Sequence, residues 1–181
     1  MHDDILTGVN VRLRALEPGD VDLLYAWEND TSVWDVSNTL VPFSRFQIEE
    51  YVLNTHHDLF RTRQLRLMVD LNDTDEGDIF AGTIDLFDFE PFHHRAGVGV
   101  LIREPYRKKG YAYEAMELFI RYAFNKLQLH QLYCNISPDN VISLKLFEKL
   151  GFLKCGIKKD WMHNGHTWQE EWMFQLINHG G

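Results

Sequence analysis

The stretch YRKKGYAYEAM, residues 106–116, puts three cations and a glycine directly in front of a run with helical spacing. Ala112, Ala115, Met116, Phe119, Ile120, Ala123, Phe124 and Leu127 recur at the three-and-four interval of one buried helix face. A helix N-terminus already carries partial positive charge and repels cations. The chain as a whole is acidic, with a formal net charge of -9. Cations gathered at that point therefore imply an anion. First-turn N–H groups have no intrahelical partner and form a ready phosphate site. Gly110 lets a ligand approach closely, because it lacks a Cβ and tolerates positive φ. Arg103, Arg107, Lys108 and Lys109 surround the same point. A solvated basic turn closed by a glycine accounts for the same residues, so the stretch yields a phosphate site without its identity.

Two better-known phosphate motifs are absent. No GxxxxGK[ST] occurs, and Gly97-Val98-Gly99 lacks a third glycine and lies within a strand-like run. The excess of 27 acidic over 18 basic side chains argues against a nucleic-acid surface and suits a cationic substrate. No run approaches the ~18 apolar residues of a membrane span. MHDDILTG has neither the basic nor the apolar region of a secretion signal, so a cytoplasmic location is expected. Cys134 and Cys155 sit in apolar strand-like contexts without CxxC spacing and read as buried free thiols.

Outward from the opening stretch, no repeat or linker divides the chain, and one domain over residues 1–181 is expected. VNVRLRAL (9–16) alternates as a strand. Pro18-Gly19-Asp20 breaks it, with Asp20 placed to cap a short helix through Trp27. Ser44 and Gln47 form a capping box for a helix from Arg45 to the His56-His57 pair. QLRLMVDL (64–71), IFAGTIDLFDF (79–89), AGVGVLI (96–102) and HQLYCNIS (130–137) read as strands, the first two joined by the polar turn NDTDEGD. NVISLKLFEKL is a helix stopped by Gly151, and Asn164-Gly165 joins two final strands at 152–162 and 166–177 as a two-residue hairpin. The sum is an α/β (α+β) domain, a mixed and mostly antiparallel sheet of about seven strands flanked by about four helices.

RKKGYA (107–112) resembles the Q/R-x-x-G-x-G/A signature of the GNAT N-acetyltransferases, with Arg107, Gly110 and Ala112 at the defining positions. GTIDLFDFEPFHHRAGVGVLIREPYRKKGYAYEAM, NVISLKLFEKLGF and HNGHTWQEEWMF extend the resemblance in order and spacing over roughly residues 9–177. Within the family the chain resembles the spermidine N-acetyltransferases and the acetyltransferases of ribosomal-protein N-termini. The resemblance implies that acetyl-CoA is the cosubstrate and that no metal is needed. The loop Arg107–Ala112, with Lys108, Lys109 and Tyr111, would bind its pyrophosphate. The backbones of Val100, Leu101 and Ile102, on a strand that splays from its neighbour, would pair with the pantetheine arm and polarise the thioester carbonyl.

Acetyl transfer also requires an amine to lose a proton, and a free alkyl amine has a pKa of about 10.4. Asp85 lies where the family often places a carboxylate. Alternation puts Thr83, Asp85, Phe87 and Phe89 on one sheet face and Asp88 on the other. Aromatic surroundings would raise the Asp85 pKa toward a useful range. A strand-end aspartate bonded to backbone is the plain alternative. Many relatives carry a tyrosine four residues after the Ser143 position, whereas this chain has Phe147, which has no proton to donate. Ser143 is the substitute for contacting the leaving thiolate, and Asn140 would face the pantetheine amides. Both residues equally suit a simple helix start.

Nine histidines include the pairs His56-His57 and His93-His94, but none joins a Cys or carboxylate at ligand spacing, so no metal site is expected. The five tryptophans read as core or dimer contacts. The acceptor is expected to be a small-molecule primary amine, a polyamine among the candidates. From Val36 to Phe43 the chain lacks the adjacent acids of spermidine enzymes, though Glu28, Asp30 and Asp35 lie close by. Two alternatives stay open: acetylation of a protein N-terminus, and a non-catalytic acyl-CoA-binding module. Family habit adds a homodimer.

Overall fold

The computed structural model describes residues 5–34, 39–54, 58–72 and 79–180. The His56-His57 pair, Asp35 and the stretch from Val36 to Asn38, and most of the turn NDTDEGD lie outside the described residues. Two compact units are present, residues 1–14 with 63–181, and residues 15–62.

The first unit carries a seven-stranded sheet in the order β1-β2-β3-β4-β5-β7-β6. Its strands are β1 (Val11–Arg14), β2 (Leu65–Leu71), β3 (Ile79–Glu90), β4 (Arg95–Ile102), β5 (Gln131–Ile136), β6 (Leu153–His163) and β7 (Trp168–Ile177). Every neighbouring pair is antiparallel except β4 with β5. A parallel pair needs a long crossover. Here that crossover is α4 (Tyr111–Asn125), which buries Ala115, Met116, Leu118, Phe119 and Ala123 as its spacing predicts. With α4 numbered in chain order, α5 (Val141–Lys149) follows β5. Gly151 ends α5 at φ +89°, and Phe152 N–H bonds back to the Phe147 carbonyl, the six-to-one closure of a left-handed cap. Phe119, Phe152, Phe174, Leu118, Met116 and Leu132 form the fully buried centre.

The second unit holds α1 (Val21–Glu28), α2 (Arg45–Asn54) and α3 (Leu59–Thr62), so the described residues contain five α-helices where about four were expected. The capping box of α2 is present in both directions: Gln47 N–H to Ser44 Oγ at 3.2 Å, and Ser44 N–H to Gln47 Oε1 at 2.7 Å. α1 packs on α2, helped by an Arg45–Asp22 ion pair of 2.6 Å.

Three local expectations need correction. Asp20 stands at the N-cap of α1, yet its carboxylate turns back to accept from Glu17 N–H at 2.8 Å, closing the Pro18–Asp20 turn instead of capping the helix. The β6–β7 connection has four residues, because Asn164 Oδ1 accepts from both His166 and Thr167 N–H and holds a wider loop. Cys134 is buried but Cys155, on the outer strand β6, is exposed. No described helix is long and apolar enough to cross a membrane.

Candidate active site

The site begins where β4 leaves β5. β4 pairs with β3 as far as Ile102, but with β5 only from Arg95 to Gly97, opposite Gln131 to Tyr133. Beyond Gly97 the two parallel strands diverge. Arg103 N–H bonds to the Ala81 carbonyl at 2.8 Å, which fixes the alternation of the antiparallel ladder. Residues 97, 99 and 101 then direct their N–H and C=O toward β3. Val98 ends the pairing with β5, and Val100 and Ile102 direct theirs into the gap. Of the three backbones expected to hold the pantetheine, Val100 and Ile102 face the opening, and Leu101 is bonded toward Thr83. The Ile102 carbonyl accepts from Arg107 Nε at 2.8 Å.

Between β4 and α4 the chain turns through Lys108 at φ +62° and Gly110 at φ +86°. Gly110 occupies the N-cap of α4 without any side-chain cap, and a Cβ there would meet nothing within 4 Å. The first turn thus has no side-chain cap, and the space beside Gly110 is open, which suits an anion. The surrounding cations divide their work. Arg103 donates to the Phe80 carbonyl at 2.9 Å, with its guanidinium 5.6 Å from the Phe80 and Tyr106 rings. Arg107 ties the loop to β4, while Lys108 and Lys109 remain exposed. Tyr111 and Ala112 are half-buried at the start of the helix. An open cleft of about 780 Å³ adjoins this point, lined by Lys109, Gly110, Tyr113, Glu117 and Lys149 among others. Lys149 Nζ lies 4.2 Å over the Tyr113 ring.

Glu114, one turn into α4, does not oppose an incoming anion with a free carboxylate. It accepts from Asn10 N–H and Asn10 Nδ2, each at 2.8 Å, and fastens α4 to the start of β1. Burial works to raise its pKa, but the Asn10 side chain and the N–H groups of residues 9–11 outweigh burial and leave it lowered.

At the start of α5 Asn140 Oδ1 accepts from Ser143 N–H at 3.1 Å, so Asn140 caps its helix. Ser143 is half-buried, and among the described residues its hydroxyl has no hydrogen-bond partner. Phe147, only 4 % exposed, stands edge-on to Phe152 at 5.0 Å, which puts the usual tyrosine position in the core.

Asp85 pairs directly across the ladder with Arg66 on β2, Nε to Oδ1 at 2.6 Å and the terminal nitrogen to Oδ2 at 3.1 Å. A guanidinium, not an aromatic ring, is its closest polar company, and about a third of the side chain stays exposed (36 %). Phe87 lies over Gly97 and meets Tyr133 edge-on at 5.9 Å. The expected alternation fails just beyond. Asp88 takes φ +49°, and three steps on β3 from Phe87 to Glu90 match two on β4. That extra residue is a β-bulge, and it sends Phe89 to the opposite face from Phe87. Asp88 instead reaches the Tyr133 side, accepting from its hydroxyl at 2.8 Å. Burial first, then this carboxylate, pushes the Tyr133 hydroxyl up to about 12.

The predicted residues therefore form three groups: the gap-facing backbone of β4, the loop and first turn of α4, and Asp85 on its sheet face. Ser143 and Asn140 stand apart on α5, and no hydrogen bond joins either to Asp85. Among the described residues no three or more His, Cys, Asp or Glu are placed to hold a metal ion. Sequence reading missed the Asp88–Tyr133 pair, whose placement depends on the bulge and on strand register.

The profile of the acetyltransferase (GNAT) domain matches residues 10–153. An uncharacterised N-acetyltransferase, p20, from Bacillus licheniformis is 28 % identical over 166 residues, 91 % of each chain. The spermidine N(1)-acetyltransferase of Vibrio cholerae serotype O1 is 25 % identical over 169 residues, again 91 % of each. A crystal structure of the Vibrio cholerae spermidine N-acetyltransferase in complex with CoA and spermine superposes with a TM-score of 0.82 at 22 % identity, covering 92 % of this chain and 95 % of that one. With the family profile running through both structural units and a seven-stranded sheet that splays beside a glycine-started helix, the chain belongs to the acetyltransferase (GNAT) domain family and is by that membership an N-acetyltransferase.

Proposed function

We propose that the protein transfers the acetyl group of acetyl-CoA directly to a primary amine of a small cationic molecule. The observation that carries this reading is the divergence of β4 from β5 beyond Gly97, with the Val100 N–H and C=O turned into the opening. The uncapped start of α4 lies beyond the end of the same strand. The residues suit the cosubstrate: open space at Gly110 and first-turn N–H groups for a pyrophosphate, and an unpaired strand edge for an amide-containing arm. When bound, acetyl-CoA supplies an activated thioester. The chain supplies binding, orientation and a place for the proton.

Val100 would hydrogen-bond the arm and hold the acyl group at the opening. Both Asp85 oxygens already accept from Arg66, and each keeps a lone pair for an ammonium or a water. Asp85 therefore orients the amine, and the proton leaves at its carboxylate directly or through one water. Ser143 Oγ, unpartnered among the described residues, serves the departing sulfur. Relatives named spermidine N(1)-acetyltransferase support a polyamine as one acceptor class.

One observation favours a binding-only protein, the burial of Phe147 where many relatives have a tyrosine. Thiol release from acetyl-CoA, measured with polyamines, amino acids, aminoglycosides and N-terminal peptides, separates the two. Acceleration by small amines supports the proposal. Acceleration by peptides alone redirects it to protein N-termini, and CoA binding without any acceleration overturns it.

A further inference from the structure

Asn135 has a buried side-chain oxygen, Oδ1, with no hydrogen-bond partner among the described residues. Leaving such a group unpaired disfavours folding, so its presence calls for a reason. Position supplies one. On β3 and β4, Asp85 pairs with Gly99, and the parallel register of β4 with β5 runs Arg95–Gln131, Ala96–Leu132, Gly97–Tyr133. Carried on by two residues, that register sets Asn135 beside Gly99. Pairing has stopped by then, so a gap separates the two strands. Side chains alternate along a strand, and Asn135 shares its face with Tyr133, which touches Phe87, two residues from Asp85. Arg66, Asp85, Gly99 and Asn135 thus form one row across the sheet, with the gap between the last two.

Gly99 is the floor of that row. A Cβ there would meet nothing within 4 Å, in contrast to Gly97, where a Cβ would run into the Phe87 ring. The row therefore has open space above its glycine, a carboxylate on one side and an orphaned acid-amide carbonyl on the other. Phe87 and Tyr133 close one end. An alkylammonium offers three N–H donors and a positive charge. Two acceptors of this kind on either side of a bare floor match it better than they match an anion or an apolar group.

We propose that Asn135 completes an acceptor-amine subsite, its Oδ1 accepting a hydrogen bond from the ammonium that Asp85 orients across Gly99. The inference rests on the proposed acetyl transfer for its purpose, but not for its geometry. The amine enters protonated on this face, while the opening between β4 and β5 presents the acyl group. Asn135 thereby selects for amines that keep an N–H donor directed at β5 and against quaternary ones.

Two measurements test it. With 15N-labelled full-length protein saturated with CoA, n-butylammonium chloride should shift the Asn135 side-chain amide resonances saturably, and tetramethylammonium chloride at equal ionic strength should not. No shift, or the same shift with both salts, overturns the subsite. In turnover with whichever amine is accepted, Asn135→Leu should raise the amine KM at least tenfold and leave the acetyl-CoA KM unchanged. Asn135→Asp, which keeps the acceptor and adds charge, should hold or lower the amine KM. An amine KM within twofold of wild type in Asn135→Leu, or an effect confined to acetyl-CoA, also overturns it. If the wild type turns over no amine, the proposed reaction fails, and the resonance titration still decides the subsite.

Discussion

Arg107 reaches back five residues to hydrogen-bond the carbonyl of Ile102, the last residue of β4. Arg107 is thus a brace between the splayed strand and the loop that leads into α4, as well as a charge beside the proposed anion site. Arg107→Ala should lose both, and a hydrogen bond to a charged group is worth about 1.5–3 kcal/mol. The Kd for CoA, read by calorimetry, should rise about 10- to 100-fold. Arg107→Lys keeps charge without the fork and should recover only part of the loss. Equal affinities for the wild type and Arg107→Ala would show that the brace is irrelevant to the cofactor.

Gly110 and Gly165 separate backbone strain from ligand contact. Both have positive φ, +86° and +89°, and at each a Cβ would meet nothing within 4 Å. An L-residue there costs about 1–2 kcal/mol, which for a chain of this size lowers Tm by about 2–8 °C. Gly110→Ala and Gly165→Ala should therefore lose similar stability in thermal unfolding. Only Gly110→Ala should also weaken CoA, since its methyl group would enter the space above the first turn of α4. Matching CoA affinities for the two variants would remove Gly110 from the anion site.

Glu114 makes stability depend on pH with a definite sign. Its folded pKa is lowered by the N–H groups of residues 9–11 and the Asn10 amide, against burial. A carboxylate of that kind contributes stability above its unfolded pKa and loses it as pH falls through the folded value. Wild type should unfold at a higher temperature than Glu114→Gln near neutral pH. The gap should close as pH drops through and below the ordinary carboxylate range. A pH-independent difference would assign the effect to packing.

Much of this was legible in local sequence because the signals are local. Gly110 marks its own left-handed turn, Gly151 its cap, and Ser44 with Gln47 their box. The spacing of Ala115, Met116 and Phe119 is enough to bury one face of α4. Asp88 shows the limit. Period-two alternation contains no mark of an extra residue, and aspartate tolerates the left-handed region well enough to supply one silently. From there on the face of β3 is reversed, so Phe89 was assigned wrongly and the Tyr133–Asp88 bond was missed. Asn135 was invisible for a related reason. The residues proposed to share its subsite, Gly99 and Asp85, lie 36 and 50 residues earlier, and only the strand register carried on past Gly97 aligns them.

Phe147 tests how the departing thiolate is served. Its ring is 4 % exposed and edge-on to Phe152, so Phe147→Tyr would insert a hydroxyl beside a packed aromatic pair. An unsatisfied buried hydroxyl costs about 1–3 kcal/mol. The variant should melt lower and turn over no faster than wild type. Ser143→Ala, which removes a hydroxyl without a partner among the described residues, should instead reduce kcat and leave Tm nearly unchanged. Faster turnover in Phe147→Tyr would return the proton-donor role to this position.

The proposed role of Asp85 is to take up the amine proton, and its pairing with Arg66 sets what a substitution removes. Asp85→Asn keeps size and leaves the guanidinium beside a neutral amide. Asp85 on β3 pairs across the ladder with Arg66 on β2, away from the strand that leads into α4, so CoA affinity should stay at the wild-type value. The amine should lose its charged acceptor, and kcat/KM for the amine should fall about 10²-fold or more at neutral pH, the usual scale for a positioned proton acceptor. As pH approaches about 10.4, a free alkyl amine sheds its proton unaided. The deficit should therefore shrink toward high pH if the carboxylate receives the proton. A deficit constant with pH assigns Asp85 to orientation alone, and full turnover at saturating amine across the pH range removes it from the reaction.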